Sequence, residues 1–280
     1  MKVVYIVLNW GDYLKQAYCS IISYLHFHPD QGKNIVLFTD EDTSDIDLPI
    51  EIISISSLKF IAKESDHILI KRIQIIKRCI KKYKKDVLCV DTDTIFFKPL
   101  WFESISAWNS FVHMYESPVQ SYKWGAFWKS FDITYGEYTK SIWKTDMYNV
   151  STLWISMWNI DMLDEIADIT DTIYKITWEW TSDQVAFSYV LSTTKITYLY
   201  DRIFHYRAYK AQTTQYIFNA LWQSYDYQLS SRLFSAFINH FSFGCLQFIE
   251  KTWDHIIDYF KEKPDEYNKL LKIMSNKSQI

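Results

Sequence analysis

The sequence predicts an α/β protein: a mixed, mainly parallel sheet flanked by helices, with a helical carboxyl-terminal part. Three observations lead there. Up to residue 100, short apolar runs bounded by turn residues alternate with longer stretches of helical period. Apolar residues make up 49% of the chain and charged residues 22%, enough for a buried core and contrary to general disorder. The length of 280 residues, without a low-complexity linker or internal repeat, suits one large domain covering 1–280.

The elements follow in order. The opening MKVVYIVLNWGD reads as a buried strand over 3–8, too short in its apolar run for a signal peptide. A helical stretch from 13 to about 25 closes at HFHPDQG, where Pro29 and Gly32 mark a turn. Strands are expected at 35–38 and 50–55, then a helix from about 66 to 83 and a strand at 87–90. Beyond residue 100, SFVHMYES and STLWISMWNID look like further strands, separated by an aromatic polar segment. TSDQVAFSYVLS reads as a helix start with Ser182 as its cap, and the remainder has helical periodicity.

Composition excludes several classes. A formal net charge of −3 gives no reason to expect a nucleic-acid partner. No later run approaches the roughly 18 apolar residues of a membrane span. The four cysteines, at 19, 79, 89 and 245, lack metal-site spacing, and two lie in apolar segments, which favours reduced, buried thiols and a cytoplasmic setting. The 12 Trp, 21 Tyr and 18 Phe exceed the needs of a core, so some rings are expected to line a ligand groove.

The helix near 66–83 carries Ile70, Ile73, Ile76, Ile80 and Tyr83 on one stripe, ringed by Lys71, Arg72, Lys77, Arg78, Lys81 and Lys82. This basic set is open to three readings: a solvated face, a diphosphate contact from Lys71 or Arg72, or attraction of a peripheral protein to anionic lipid at the inner face of a membrane.

The segment KKDVLCVDTDTIFFKPL places Asp91 and Asp93 directly after a buried strand. In an open parallel sheet that edge is where ligands bind. If the strand continues, residues two apart share a face, and both carboxylates converge on one hard cation such as Mg²⁺ or Mn²⁺. Such an ion would bind a diphosphate and stabilise the charge that develops as it leaves. The plainer alternative is that one aspartate caps the following turn while the other faces water. Asn9, after the first strand, and Thr39 and Asp40, after the second, lie at the same edge and are candidates for nucleoside contact.

VLCVDTDTIFFKPL resembles the D-x-D segment of nucleotide-sugar glycosyltransferases with the GT-A fold, a Rossmann-like sheet. TSDQVAFSYVL and NHFSFG are similar to segments of the retaining family that includes glycogenin and bacterial lipopolysaccharide galactosyltransferases. The resemblance implies Asp183 and Gln184 at the reacting sugar, and His240 beside Asp91 and Asp93 as third metal ligand. It further implies a hexosyltransferase using a nucleoside-diphosphate sugar, UDP-linked in the first instance, with Mn²⁺ or Mg²⁺. A glycan or lipid-linked acceptor, polysaccharide biosynthesis and retention of configuration would follow. Residues 1–100 would form the nucleotide-binding half and 101–280 the acceptor-binding and helical half.

Other readings stay open at this point. His240 also suits a core histidine and Asp183 a helix cap. VDTDTI fits a haloacid-dehalogenase-type phosphatase as well, although that motif normally begins a chain. A non-catalytic carbohydrate-binding module would use SYKWGAFWKSF with Trp178 and Trp180 as its stacking surface.

Overall fold

A computed structural model of the chain describes residues 1–8, 13–44, 46–60, 67–96, 98–100, 109–121, 132–135, 138–142, 145–199 and 202–205. All of these belong to one unit, Met1–His205. Its strands are β1 (Lys2–Val7), β2 (Ile35–Thr39), β3 (Glu51–Ile53), β4 (Val87–Val90), β5 (Thr94–Phe96), β6 (Asn109–Pro118), β7 (Asp132–Tyr135), β8 (Tyr138–Ser141), β9 (Asp146–Ile155), β10 (Lys195–Tyr198) and β11 (Ile203–His205). Its helices are α1 (Tyr13–Phe27), α2 (Ile68–Tyr83), α3 (Met162–Thr177) and α4 (Ser182–Leu191).

The main sheet has seven strands in the order β10-β6-β9-β4-β1-β2-β3. β1 pairs in parallel with β2 and β4, and β2 with β3. β9 runs antiparallel to both β4 and β6, while β10 is parallel to β6. Within this sheet, every strand but β9 therefore points the same way. The expected mixed, mainly parallel α/β sheet is what forms.

Burial follows the strand period of two. Val4, Val36, Val87 and Cys89 pack with Ile73, Ile76 and Ile80 of α2 and with Ile166 and Ile169 of α3. Their sequence neighbours Val3, Tyr5, Ile35, Leu37, Leu88 and Val90 pack on the other face with Ala17, Ile21 and Tyr24 of α1. Helices thus cover both faces, which is why β1, β2 and β4 are continuously apolar. Cys79 and Cys89 lie unbridged within this core, and burial pushes their thiols up to about 12 and about 11. Among the described residues, no helix is long and apolar enough to cross a membrane.

Several local expectations need correction. The strand ending at Val90 does not continue through the acidic pair: residues 92–93 form a turn, and chain direction changes before β5. STLWISMWNID is not wholly extended, because β9 begins earlier, at Asp146, and ends at Ile155. There the Ser156 side chain accepts the Trp158 N–H and opens a 3₁₀ turn, Met157–Asn159. Helix α3 was not anticipated. Ser182 does not cap α4 either; Thr181 holds the cap position, and the Ser182 hydroxyl donates to the Glu179 carbonyl at 2.5 Å.

Candidate active site

The carboxyl ends of β2 and β4 and the amino ends of α2 and α4 form one edge of the sheet. β9, running the other way, brings Val150 and Ser151 to this edge beside β4, where the Asp91 N–H donates to the Ser151 carbonyl at 2.6 Å. The edge is therefore built from segments distant in sequence.

Arg72 is the centre of the arrangement. It lies early in α2, on the side turned toward the sheet, and its side chain is only 15% exposed. Nη2 lies 2.8 Å from Asp91 Oδ1 and donates to the Val150 carbonyl at 3.0 Å; Nη1 donates to Asp183 Oδ2 at 3.2 Å. Burial alone would weaken the guanidinium charge, but Asp91, Cys89 and Asp183 together outweigh it and raise its pKa. Asp183 is buried at the first turn of α4, and its other oxygen, Oδ1, accepts the Gln184 N–H at 2.8 Å. Burial pushes its carboxyl above the ordinary aspartate value, against the pull of Arg72 and of that N–H.

The acidic turn is anchored from beneath. Thr94 Oγ1 donates to the Asp91 carbonyl at 2.8 Å and lies 2.9 Å from Ser20 Oγ on α1, which in turn is 3.0 Å from the Tyr5 hydroxyl. Thr92 Oγ1 donates to Gln16 Oε1 at 3.2 Å, and Phe96 N donates to Ser23 Oγ at 2.9 Å. Further along, the Leu100 N–H donates to His28 Nε2 at 3.0 Å, giving a structural part to a histidine to which the sequence assigns none.

Gln184 is held from the side. Its Nε2 donates to Glu116 Oε2 at 2.7 Å, while Asn149 Nδ2 donates to Glu116 Oε1, also at 2.7 Å. Neither Glu116 nor Asn149 was singled out by the sequence. Each is one of several polar residues in its strand, so the sequence carries no signal for either, although Asn149 is buried at 4% exposure.

No protein-family model and no curated protein matches this sequence. Among solved structures, the chain is similar to a glycosyltransferase involved in the glycosylation of the major capsid of PBCV-1, with 12% identity, coverage of 71% of this chain and 81% of that one, and a TM-score of 0.38. It is also similar to galactosyltransferase LgtC in complex with donor and acceptor sugar analogs, with 12% identity, coverage of 70% and 73%, and a TM-score of 0.45. Both likenesses are shallow.

Of the candidates drawn from the sequence, Asp91, Arg72, Asp183 and Gln184 come together. Asp93 is buried in the same turn at 6% exposure, and Lys71 is half-buried beside Arg72. Thr39 and Asp40 are engaged in their own loop. Thr39 Oγ1 accepts the Glu41 N–H, and Asp40 Oδ1 accepts from Ser56 N at 2.9 Å and Ser54 Oγ at 2.7 Å; these bonds hold its carboxyl below the usual range. Asn9 and His240 lie outside the described residues.

Because 92–93 turn, the shared strand face that would aim both carboxylates at one cation does not form; what stays is their chemistry, two oxygen-donor acids of the kind a hard dication takes. The Asp91 side chain is 32% exposed and Arg72 meets it through Oδ1, whereas Asp93 is buried. Among the described residues, no group of three or more His, Cys, Asp or Glu is placed to hold a metal. A third protein ligand would have to come from elsewhere in the chain.

Proposed function

We propose that this edge binds a nucleoside-diphosphate sugar and transfers its glycosyl group to a hydroxyl of a glycan or lipid-linked acceptor, in a GT-A-type hexosyltransferase. The observation that supports it most is Arg72 joining Asp91, at the end of a buried strand, to Asp183, at a helix start beside Gln184. Two acids are thereby joined at one edge of the sheet, Asp91 exposed enough to meet a ligand and Asp183 buried.

In this reading Asp91 and Asp93, with His240 as the third ligand, would hold Mn²⁺ or Mg²⁺, which supplies charge neutralisation for the diphosphate. Lys71 contacts that diphosphate, while Arg72 holds Asp91 and Asp183 in place. Asn9, Thr39 and Asp40 contact the nucleoside, with UDP the first nucleotide to try. The bond between the anomeric carbon and the diphosphate oxygen breaks, its electron pair leaving with the diphosphate, and the acceptor oxygen bonds to the same carbon. With retention, the departing oxygen takes the acceptor proton; with inversion, Asp183 would take it. We favour retention. Residues 1–100 then serve the nucleotide, and 101–280 the acceptor. The exposed Lys81, Lys82, Lys84 and Lys85, at the end of α2 away from the crevice, suit peripheral contact with an anionic membrane surface.

The test is a panel of nucleoside-diphosphate sugars screened for Mn²⁺-dependent hydrolysis and thermal stabilisation, repeated with Asp93→Ala. The expected result is one donor class that stabilises the wild type and is lost on the variant. A donor that stabilises both forms equally would contradict metal-mediated binding here.

A second reading is a non-catalytic carbohydrate-binding module. Trp178 and Trp180 are 74% and 59% exposed, and they meet Tyr174 and His67 in ring contacts of 5.8 Å and 5.1 Å. Sugar binding indifferent to Mn²⁺ and to nucleotide, without donor hydrolysis, would identify that module.

A further inference from the structure

Glu116 carries two amides on one carboxylate. Asn149 Nδ2 reaches Oε1 and Gln184 Nε2 reaches Oε2, each at 2.7 Å. An ionised carboxylate accepts hydrogen bonds and donates none, so both amides must present their NH₂ groups to it. Asn149 is fixed a second time, because its Oδ1 accepts the Ser151 N–H at 3.0 Å. Gln184 has a backbone link instead, its N–H donating to Asp183 Oδ1. The chain Ser151–Asn149–Glu116–Gln184 thus runs from β9 through β6 to α4, with donation converging on Glu116 from both sides.

We infer that Glu116 is a positioning residue: by holding Nε2 of Gln184 it presents the amide oxygen, and not the NH₂ group, to the sugar in the crevice. This rests on the glycosyl-transfer reading and adds to it the atom that Gln184 uses. A carbonyl oxygen placed there accepts a sugar hydroxyl and lies favourably toward the positive charge that develops at the anomeric carbon as the diphosphate departs. The reversed amide would set partial positive charge against that carbon.

The chain also dictates what a single change does. In Glu116→Gln the new side chain has one acceptor oxygen and one NH₂ group for two partners that both offer NH₂. One partner must turn. Asn149 is pinned by Ser151, so Gln184 is the one that turns. Adding Asn149→Asp removes the conflict. The carboxylate introduced on β9 accepts from Ser151 N and from the NH₂ group of the amide introduced on β6, and the oxygen of that amide again accepts from Gln184.

The experiment compares wild type, E116Q and E116Q/N149D by donor hydrolysis, using the sugar nucleotide identified in the panel, and by NMR of the Gln184 side-chain amide in ¹⁵N-labelled protein. The expected result is a ten- to hundredfold fall in kcat for E116Q with donor KM within threefold, and recovery to within threefold of wild type in the double variant. The Gln184 amide resonances should move in E116Q and return in E116Q/N149D. Full kcat in E116Q with unmoved resonances would overturn the inference. If no donor in the panel is hydrolysed by the wild type or stabilises it, glycosyl transfer fails as a function, and the resonances alone decide whether Glu116 orients Gln184. If E116Q does not fold, a double variant that folds but keeps less than a tenth of wild-type kcat overturns it.

Discussion

Arg72 Nη1 lies 3.2 Å from Asp183 Oδ2, joining two helices through side chains that are only 15% and 5% exposed. A cation so placed answers a buried carboxylate that water cannot reach. Removing one member of a buried pair leaves the other uncompensated, which typically costs about 3–5 kcal/mol. Arg72→Met should therefore lower the unfolding free energy by about 3 kcal/mol, read from the denaturation midpoint in urea. Adding Asp183→Asn should recover part of that loss, because the buried charge is gone. An R72M protein as stable as wild type would show that the pair is not held out of water as described.

Acid should loosen the same region. His67 caps α2, its Nδ1 accepting the Leu69 N–H at 3.3 Å, and its ring stacks on Tyr174 with centroids 3.6 Å apart. Burial, and then the charge of Lys71, lower its pKa from 6.5. Burial also lowers that of His28, which accepts from Leu100. A histidine whose folded pKa is depressed stabilises the fold above the unfolded value and loses that stabilisation as pH falls through the folded value. Melting temperature should therefore drop on acidification below about pH 6.5. His67→Asn keeps a cap acceptor without titrating, so its melting temperature should vary less steeply between about pH 5 and 7. An identical slope would remove His67 from the explanation.

These groups also show what the sequence reveals and what it hides. The alternation of apolar runs and helices was enough to read β1, β2, β4 and α2, because strands buried on both faces have to be continuously apolar. The same rule marked Asp91 and Asp93 at a strand end. It did not reveal the turn at 92–93, since that depends on Thr94 and Ser20, whose contact spans 74 positions. Arg72 reads in the sequence as one of a basic ring, a solvated face or, with Lys71, a diphosphate contact, and nothing there marks it as buried. Only the arrival of Asp91 and Asp183 from other segments makes its burial tolerable, and no local pattern carries that. Glu116 and Asn149 were missed for the same reason, each being a polar residue whose partner lies on another strand or helix.

Gly32 gives a prediction remote from the crevice. A Cβ at this position would lie 2.7 Å from Pro49 Cγ and 2.8 Å from the Pro49 carbonyl oxygen. The carbonyl belongs to the backbone and cannot swing aside. Gly32→Ala should thus destabilise the protein by about 1–3 kcal/mol through overpacking, measured by denaturation, with no change in the affinity for donor once folded. A stabilised variant would mean that the 29–34 turn shifts freely.

The hydroxyl chain under the acidic turn makes the most discriminating case. Thr94 has one hydroxyl proton and donates it to the Asp91 carbonyl, so it must accept from Ser20, and Ser20 from Tyr5. Burial raises the Tyr5 phenol far above its ordinary value and keeps it protonated as the first donor. Thr94→Val preserves shape and deletes the link to Asp91, while Tyr5→Phe deletes the far end and leaves that link intact. Each should cost about 1–2 kcal/mol of stability. On the glycosyl-transfer proposal, only T94V should raise the Mn²⁺ concentration needed for half-maximal stabilisation by the donor, because only there does the Asp91 carbonyl lose its tie to Ser20, while Thr92 keeps its bond to Gln16 in both variants. Equal Mn²⁺ responses in T94V and wild type would show that the turn holds its own shape, and the positioning assigned to Thr94 would fall.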